Sequence, residues 1–213
     1  MGDSLAGIGS GSFTRIVAGY GSSPAVAGNN GYSIIDPTAG TASAVGFAGS
    51  PPTGGDYRLG LTFTDSSHVI GTQGSSLYRY SSYSGTTGTL LASPAIPDPA
   101  GATADRLLAY CLIGTTPLLA VQSIGDSHVS IYDVTDPANP IYLTSGNNTS
   151  GSLTANGNGT GQLAWNVTSD GTANLYAMSS NQGIQAFTIQ VPEPASFALF
   201  SGFSLALLAR RRK

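Results

Sequence analysis

Two histidines are the first residues to consider for catalysis or metal binding. His68 and His128 occur in similar contexts, SSHVI and DSHVS, each directly before a strand-like run. A zinc site needs three or four converging ligands, whereas equivalent positions of a repeat lie apart in space. No nucleophile-elbow motif accompanies either histidine. We therefore attribute the shared context to an internal repeat, and we predict no metal site and no catalytic residue.

Asp133 and Asp136 are the next candidates, because carboxylate oxygens bind calcium. They lie in VSIYDVTDPANP, residues 129–140, and no DxDxDG-type loop is present. Aspartate beside proline also forms side-chain-capped turns that end a strand, and this account suffices. A glycosidase carboxylate pair is not identifiable, since residues 1–190 contain no Glu. The sequence therefore predicts turns here and no cofactor.

The other notable side chains also have structural interpretations. Cys111, the only cysteine, lies in the apolar run LLAYCLI, where we expect a small buried hydrophobe. Trp165 and the tyrosines of residues 78–83 could stack on sugar rings, but packing at strand ends is the favoured role. Four sequons are interpreted as loop composition; they begin at Asn147, Asn148, Asn158 and Asn166.

Charge is scarce and unevenly distributed. Only 9 % of the 213 residues are charged, 29 are glycine and 40 % are hydrophobic. Residues 1–190 carry four arginines against ten aspartates, whereas the last four residues are all cationic. An acidic body with scattered arginines lacks a phosphate-binding stripe, so nucleic acid is not expected as a partner. Low charge with abundant Gly favours a turn-rich β structure.

Strand-like runs recur along residues 1–190, separated by Gly, Pro, Asn and Asp. No segment before residue 191 sustains a helical period, so the body is predicted to be all-β. The predicted strands are Tyr32–Asp36, Arg58–Phe63, Ser76–Tyr80, Arg106–Ile113, Leu118–Gln122, Val129–Val134, Ile141–Thr144, Gln162–Val167, Asn174–Met178 and Gly183–Ile189.

These runs group into repeating units at residues 58–80, 106–132 and 161–187. Each unit reads as three strands, and the third ends in an aromatic residue. A multi-stranded repeat of roughly 40–50 residues is typical of a propeller blade. We predict three such units, with Tyr80, Tyr132 and Phe187 in equivalent places. A partial earlier unit is expected around Tyr32.

Residues 129–140 resemble the LVIVD-type repeat of bacterial surface β-propellers, and Asp36-Pro37 resembles a degenerate second copy. The resemblance implies a β-propeller-like body over residues 1–190. Closed propellers have about 4–8 blades, so three units and a fragment indicate either an incomplete ring, which we favour, or a small irregular one.

Residues 191–213 differ from the body in composition and in charge. Val191, Pro192, Glu193 and Pro194 come first, and the two prolines forbid a continuous helix or strand. Ala195 to Ala209 then form fifteen residues without charge, shorter than the ~20 of a full membrane span. We expect this apolar stretch to be a membrane-inserting helix. A basic cluster follows and is expected in the cytoplasm; it consists of Arg210, Arg211, Arg212 and Lys213.

This tail resembles the PEP-CTERM sorting signal of Gram-negative bacteria, through Pro192-Glu193-Pro194, the apolar stretch and the basic end. The resemblance implies recognition by an exosortase, a membrane enzyme that cuts near the motif. It further implies transient anchoring in the inner membrane and final placement at the cell surface or in the extracellular matrix. Such a tail is an address and does not specify the activity of the body.

Residues 1–20 contain neither a basic n-region nor an apolar core of a signal peptide, so we expect an N-terminally truncated body. The leading hypothesis is a non-enzymatic surface or matrix protein, with exopolysaccharide or other matrix components as its partners. One alternative is a secreted propeller enzyme acting on polysaccharide, with its active site in missing N-terminal blades. The other is a β-helical or sandwich adhesin.

Overall fold

The computed structural model describes residues 5–8, 14–19, 30–47, 60–73, 77–96, 106–123, 128–146, 161–168, 171–179 and 183–191. All regular structure in these residues is β-strand, which confirms the all-β prediction. The strands are β1 Leu5–Ile8, β2 Arg15–Gly19, β3 Asn30–Asp36, β4 Thr41–Phe47, β5 Gly60–Asp65, β6 His68–Gln73, β7 Leu77–Ser84, β8 Thr87–Ala92, β9 Arg106–Ile113, β10 Thr116–Ser123, β11 Val129–Asp133, β12 Ile141–Gly146, β13 Gly161–Val167, β14 Thr172–Ser179 and β15 Gly183–Gln190.

The strands form four consecutive antiparallel meanders. The first meander is β1–β4, the second β5–β8 and the third β9–β12, while the fourth comprises β13–β15. Within each meander, every strand pairs with the next strand in sequence. Two-residue loops close several hairpins, and Gly85 and Gly114 take the first loop position with φ near 60°, a conformation that favours glycine.

The first two meanders are joined into one eight-stranded sheet. Gly46 and Phe47 of β4 pair in parallel with Thr87 and Gly88 of β8. The two outermost strands of this sheet, β1 and β5, also contact each other, so the sheet folds back on itself. The other neighbours meet through their first strands, β5 with β9 and β9 with β13.

Successive meanders pack face to face, and each seam between them holds one hydrophobic cluster. The first seam contains Val17, Tyr32, Ile34, Val45, Phe47, Leu61, Phe63 and Val69. The second contains Ile70, Tyr78, Ile96, Leu108, Leu119, Val121, Tyr132 and Val134. The third contains Ala109, Cys111, Ile113, Leu118, Ala120, Val129, Ile131, Leu163, Ala173, Leu175 and Ala177.

Strand alternation explains why the third meander contributes to two seams. In β10, Leu118 and Ala120 face the third seam, whereas Leu119 and Val121 face the second. Both faces of this strand are therefore apolar and buried, as expected for a sheet covered on both sides. Each fully buried leucine contributes about 1.5–3 kcal/mol by leaving water.

The three predicted units correspond to strand triplets. Residues 58–80, 106–132 and 161–187 contain β5–β7, β9–β11 and β13–β15, and all ten predicted strands are present. Two units gain a fourth strand, β8 and β12, that pairs with the third. The expectation of only a partial unit around Tyr32 is wrong, because β1–β4 form a four-stranded meander.

The aromatic residues that end the units lie on equivalent strands but not on equivalent faces. Tyr32, Tyr80, Tyr132 and Phe187 all belong to the third strand of their meander. The first two face the following meander, whereas Tyr132 and Phe187 face the preceding one. A shift of one residue in register turns a side chain to the opposite face, and bulges interrupt the pairing of β7 and β11 with their fourth strands.

Two further expectations can be compared with this architecture. The antiparallel meanders contradict a β-helix, whose stacked rungs would pair in parallel. The predicted C-terminal apolar helix lies outside the described residues. Among the described residues, no helix is long and apolar enough to cross a membrane.

Candidate functional site

The predicted sorting residues begin where the described chain ends. Val191 donates its backbone N–H to the Gly171 carbonyl over 3.2 Å and packs against the third seam. It therefore belongs structurally to the fourth meander. The other predicted tail residues lie outside the described residues; they are Pro192, Glu193, Pro194, Ala195, Ala209, Arg210, Arg211, Arg212 and Lys213.

Asp65 and His68 form the most organised polar group in the described chain, at the turn between β5 and β6. The Asp65 carboxylate contacts His68 Nδ1 at 2.8 and 2.9 Å. It also accepts the backbone N–H and the hydroxyl of Ser67 at 2.8 and 2.9 Å. The Tyr80 ring stacks on the imidazole, with centroids 5.5 Å apart and planes at 16°. We call these four residues the Asp65 cluster.

The electrostatics of this cluster follow from its hydrogen bonds. Burial raises the pKa of Asp65, but the hydrogen bonds from Ser67 and the contact with His68 outweigh it, so the pKa lies below its ordinary value. Burial raises the pKa of Tyr80, and the nearby Asp65 charge raises it further. Tyr110 from β9 experiences the same two effects. The cluster thus lies beside the second seam, and its Asp65 carboxylate is ionised at neutral pH.

The Asp65 cluster supplies an oriented imidazole but not a catalytic triad. A carboxylate on Nδ1 favours the tautomer that leaves Nε2 as an acceptor, as in hydrolases. A nucleophile would then have to contact Nε2. Ser67 instead lies 3.2 Å from Nδ1, on the same nitrogen as Asp65. The described cluster therefore provides an oriented, partly exposed imidazole, and its own serine is not placed to act as a nucleophile.

The two histidines do not occupy equivalent places. His68 begins β6, at the turn between the first and second strands of its meander. His128 directly precedes β11, at the connection between second and third strands, and its carbonyl accepts the Ser123 N–H. In an antiparallel meander these connections lie at opposite ends. The shared SHV context is therefore not a repeat position, and the described residues contain no group of three or more potential metal ligands.

Asp133 and Asp136 cap the turn between β11 and β12. Asp133 accepts the Thr135 N–H at 2.8 Å, and Asp136 accepts the Ala138 N–H at 3.0 Å and the Asn139 side-chain amide at 2.7 Å. The Asn139 and Ala138 hydrogen bonds hold the pKa of Asp136 below its ordinary value. This geometry confirms the predicted side-chain-capped turn.

Asp36 repeats this arrangement after the third strand of the first meander. Its carboxylate accepts the N–H groups of Thr38 and Ala39 at 2.9 and 3.0 Å, and the Ala39 bond is the main reason that its pKa is lowered. Arg15 lies 2.9 Å from the same carboxylate. The Asp-Pro sequences of the two meanders therefore have the same structural role, which sequence comparison had indicated.

The remaining candidates are parts of the core. Tyr78 is fully buried, and Trp165 donates its indole N–H to the Ala109 carbonyl over 3.1 Å, linking the fourth meander to the third. Cys111 is buried, and burial raises the pKa of its thiol to about 12, so it stays protonated and unreactive.

Of the sequon asparagines, Asn166 is exposed on β13; Asn147, Asn148 and Asn158 lie outside the described residues.

Comparison with known proteins identifies no family. No protein-family model matches the chain, and no curated protein matches it either. Among solved structures, the chain is similar to a protein from Lactobacillus plantarum, with a TM-score of 0.45 and 11 % identity. The match covers 84 % of this chain and 53 % of that protein, so the chain spans about half of that protein's length.

Proposed function

We propose that this chain is an exported surface or extracellular-matrix protein whose tail is an exosortase sorting signal. The observation that carries the proposal is the order of features after β15: Pro192-Glu193-Pro194, fifteen uncharged residues and four cations at the C terminus. A proline-flanked site in an extended segment is accessible to a membrane-bound protease. The cationic end keeps that segment on the outer side of the inner membrane.

We propose a binding or structural role for the body that is delivered in this way. The most organised polar group, the Asp65 cluster, contains an oriented imidazole whose neighbouring serine contacts the wrong ring nitrogen for catalysis. Exopolysaccharide or other matrix components are the proposed partners. Exposed hydroxyl-bearing side chains of the described strands, such as Thr87, Thr89, Thr144 and Ser145, can exchange hydrogen bonds with the hydroxyl groups of such ligands.

We further propose that the body is an incomplete β-propeller. Successive antiparallel meanders with adjoining first strands and face-to-face packing support this architecture, because propeller blades are arranged in this way. The outer side of the fourth meander, which no other described strand covers, supports an open ring. A crystal structure with the meanders arranged around no common axis would overturn this part of the proposal.

The sorting proposal is tested by replacing Pro192, Glu193 and Pro194 with alanine in the full-length protein, expressed with a signal peptide in an exosortase-containing host. The wild-type protein is expected to lose Arg210–Lys213, shown by intact mass, and to leave the membrane fraction. The triple variant should keep its tail and remain in the membrane fraction.

The chain offers a matched control in Pro97-Asp98-Pro99. Alanines at these three positions remove the same kinds of residue from the body, so processing should equal that of the wild type. Equal processing of both triple variants, or a mature wild-type protein that still carries Lys213, would disprove the sorting function.

A further inference from the structure

The outer face of the fourth meander is an apolar surface that the described fold leaves uncovered. Tyr176, Met178 and Ile184 are 41 %, 37 % and 66 % exposed. They are neighbours across the sheet, since Met178 pairs with Ile184 and Tyr176 with Ala186. Ala164 pairs with Tyr176 from the other side. These five residues form one continuous patch rather than scattered exposed side chains.

Alternation along β14 shows how different the two sides of the fourth meander are. Ala173, Leu175 and Ala177 are fully buried in the third seam, whereas Tyr176 and Met178 point to the opposite side. The inner face is thus covered by the third meander. The outer face is apolar at its centre and has no covering meander among the described residues.

The described part of the outer face also carries no charge. Its outward-pointing positions on β13–β15 hold only apolar, amide and hydroxyl side chains; they are Gln162, Ala164, Asn166, Thr172, Asn174, Tyr176, Met178, Ile184, Ala186, Thr188 and Gln190. Charged faces repel their own copies, and this one does not. The Thr188 hydroxyl donates a hydrogen bond to the Asn174 side-chain oxygen over 3.2 Å. This bond lowers the free-energy cost of removing the two side chains from water.

We infer that this outer face binds the same face of a second copy of the chain, forming a two-fold symmetric dimer. A two-fold interface uses one self-complementary patch on both partners. The patch has that character, because Tyr176 forms a ridge with Ala164 on one side and Ala186 on the other. In the paired sheets, the ridge of each copy fits beside the alanines of its partner. The contact continues the face-to-face packing of the three internal seams.

The area of the outer face can be compared with the area that specific protein interfaces bury. Strands of eight residues at ~3.4 Å each, spaced ~4.8 Å apart, give a three-stranded face of roughly 400 Å². Two copies bury about 1,000 Å² of accessible surface in total, because protruding side chains make the real surface larger than the flat sheet. This area is at the lower limit for a specific interface. An interface of this size is expected to give a dimer that dissociates on dilution rather than a permanent one.

The test measures self-association of the full-length chain in dodecyl maltoside by sedimentation equilibrium. Ile184→Lys should raise the dissociation constant about tenfold or more, since it places two lysines in an apolar contact. The matched control is Ile141→Lys, because Ile141 is equally exposed (62 %) but lies on β12 of the third meander. This control should leave the dissociation constant unchanged. Both variants keep residues 195–209, so any association through the tail affects them equally.

A second measurement does not depend on the folding of the lysine variant. Tyr176 lies on the middle strand, near the expected two-fold axis, so Tyr176→Cys should be joined to its partner by a short bismaleimide. Ile141→Cys should not, and buried Cys111 does not react. A monomer at all concentrations, a dimer that both lysine variants weaken alike, or equal cross-linking at positions 176 and 141 would each overturn the inference.

Discussion

Asp65 illustrates how local hydrogen bonds determine the state of a single residue. Its partners, Ser67 and His68, come from the same turn, so the carboxylate is organised without any contribution from a distant strand. The side chain is 53 % exposed, and solvent therefore screens its interaction with the imidazole. The contribution of this group to stability is expected to be below about 1 kcal/mol.

The Asp65→Asn variant should make stability less dependent on pH in the acidic range. A carboxylate whose pKa is lowered by folding stabilises the protein above its unfolded-state value of about 3.9, and this contribution is lost as the pH falls through the lower folded-state pKa. Urea unfolding of wild type and variant between about pH 2 and 7 measures the effect. The free-energy difference should be present at neutral pH and vanish at the acidic end. A constant difference would contradict this account.

The sequence predicted some residue roles because they depend on near neighbours. The turn-capping aspartates and buried Cys111 belong to this group, since each is determined by a few flanking residues. The partnership of Asp65 with His68 was not predicted, although the spacing of three residues across a turn could have indicated it. The faces of Tyr80 and Tyr132 depend on register and bulges, which no local pattern specifies.

At the scale of strands, three glycines allow close packing between elements. A Cβ on Gly161 would meet the Met178 carbonyl oxygen and Leu107. A Cβ on Gly88 would meet the Phe47 ring at 2.7 Å and Val45 at 2.8 Å, at the joint between β4 and β8. On Gly146, the nearest atom would be in the Phe187 ring, 3.0 Å away.

The three Gly→Ala variants should destabilise the protein in a definite order. Gly161→Ala is expected to cost most, because a backbone oxygen cannot move away without disturbing the β13–β14 pairing. Gly88→Ala should cost about 1–3 kcal/mol through overpacking, and Gly146→Ala least, because one ring can rotate. Denaturant unfolding measures the loss of unfolding free energy in each variant. If Gly146→Ala costs more than Gly161→Ala, the close contacts do not explain why these positions hold glycine.

Ten strands were predicted from sequence with their bounds, β6 was predicted only as the middle strand of the unit at residues 58–80, and four were not predicted. The missed strands are β1, β2, β4 and β8, of which β4 (TASAVGF) and β8 (TGTLLA) contain several glycines and alanines. Glycine and alanine are depleted in strands, which weakens the strand pattern of both segments. They are strands here because neighbouring strands supply hydrogen bonds and because close packing, as at Gly88, requires small side chains. That requirement arises only in the assembled sheet.

At the scale of the molecule, the meanders form a linear series in which neighbours pack at one seam, and the first two are also joined by the β4–β8 pairing. Trp165 is a link across the third seam, since its indole N–H reaches the Ala109 carbonyl of β9. In such a series, stability is approximately the sum of the meanders and their interfaces. A change at one seam should therefore loosen the terminal meander more than the others.

Trp165→Phe should lower the free energy of unfolding by about 1 kcal/mol or somewhat more, because it leaves a part-buried carbonyl without its donor. Hydrogen exchange measures where the effect appears. Amides of β13–β15 should exchange faster than in the wild type, while those of β5–β7 should be unchanged. Uniform acceleration throughout the chain would indicate a single cooperative unit instead of a series.

The pairing of strands with their sequence neighbours also has a consequence for how the chain acquires its structure during synthesis or translocation. Each meander is complete within a short contiguous stretch, and the parallel joint between β4 and β8 is the exception in the described pairing. Contacts between residues close in sequence form early and at low entropic cost. A chain emerging N terminus first can therefore order one meander after another, each new one condensing on the face of the last. The strands of the fourth meander are the last in this sequence, and residues 192–213 emerge after them.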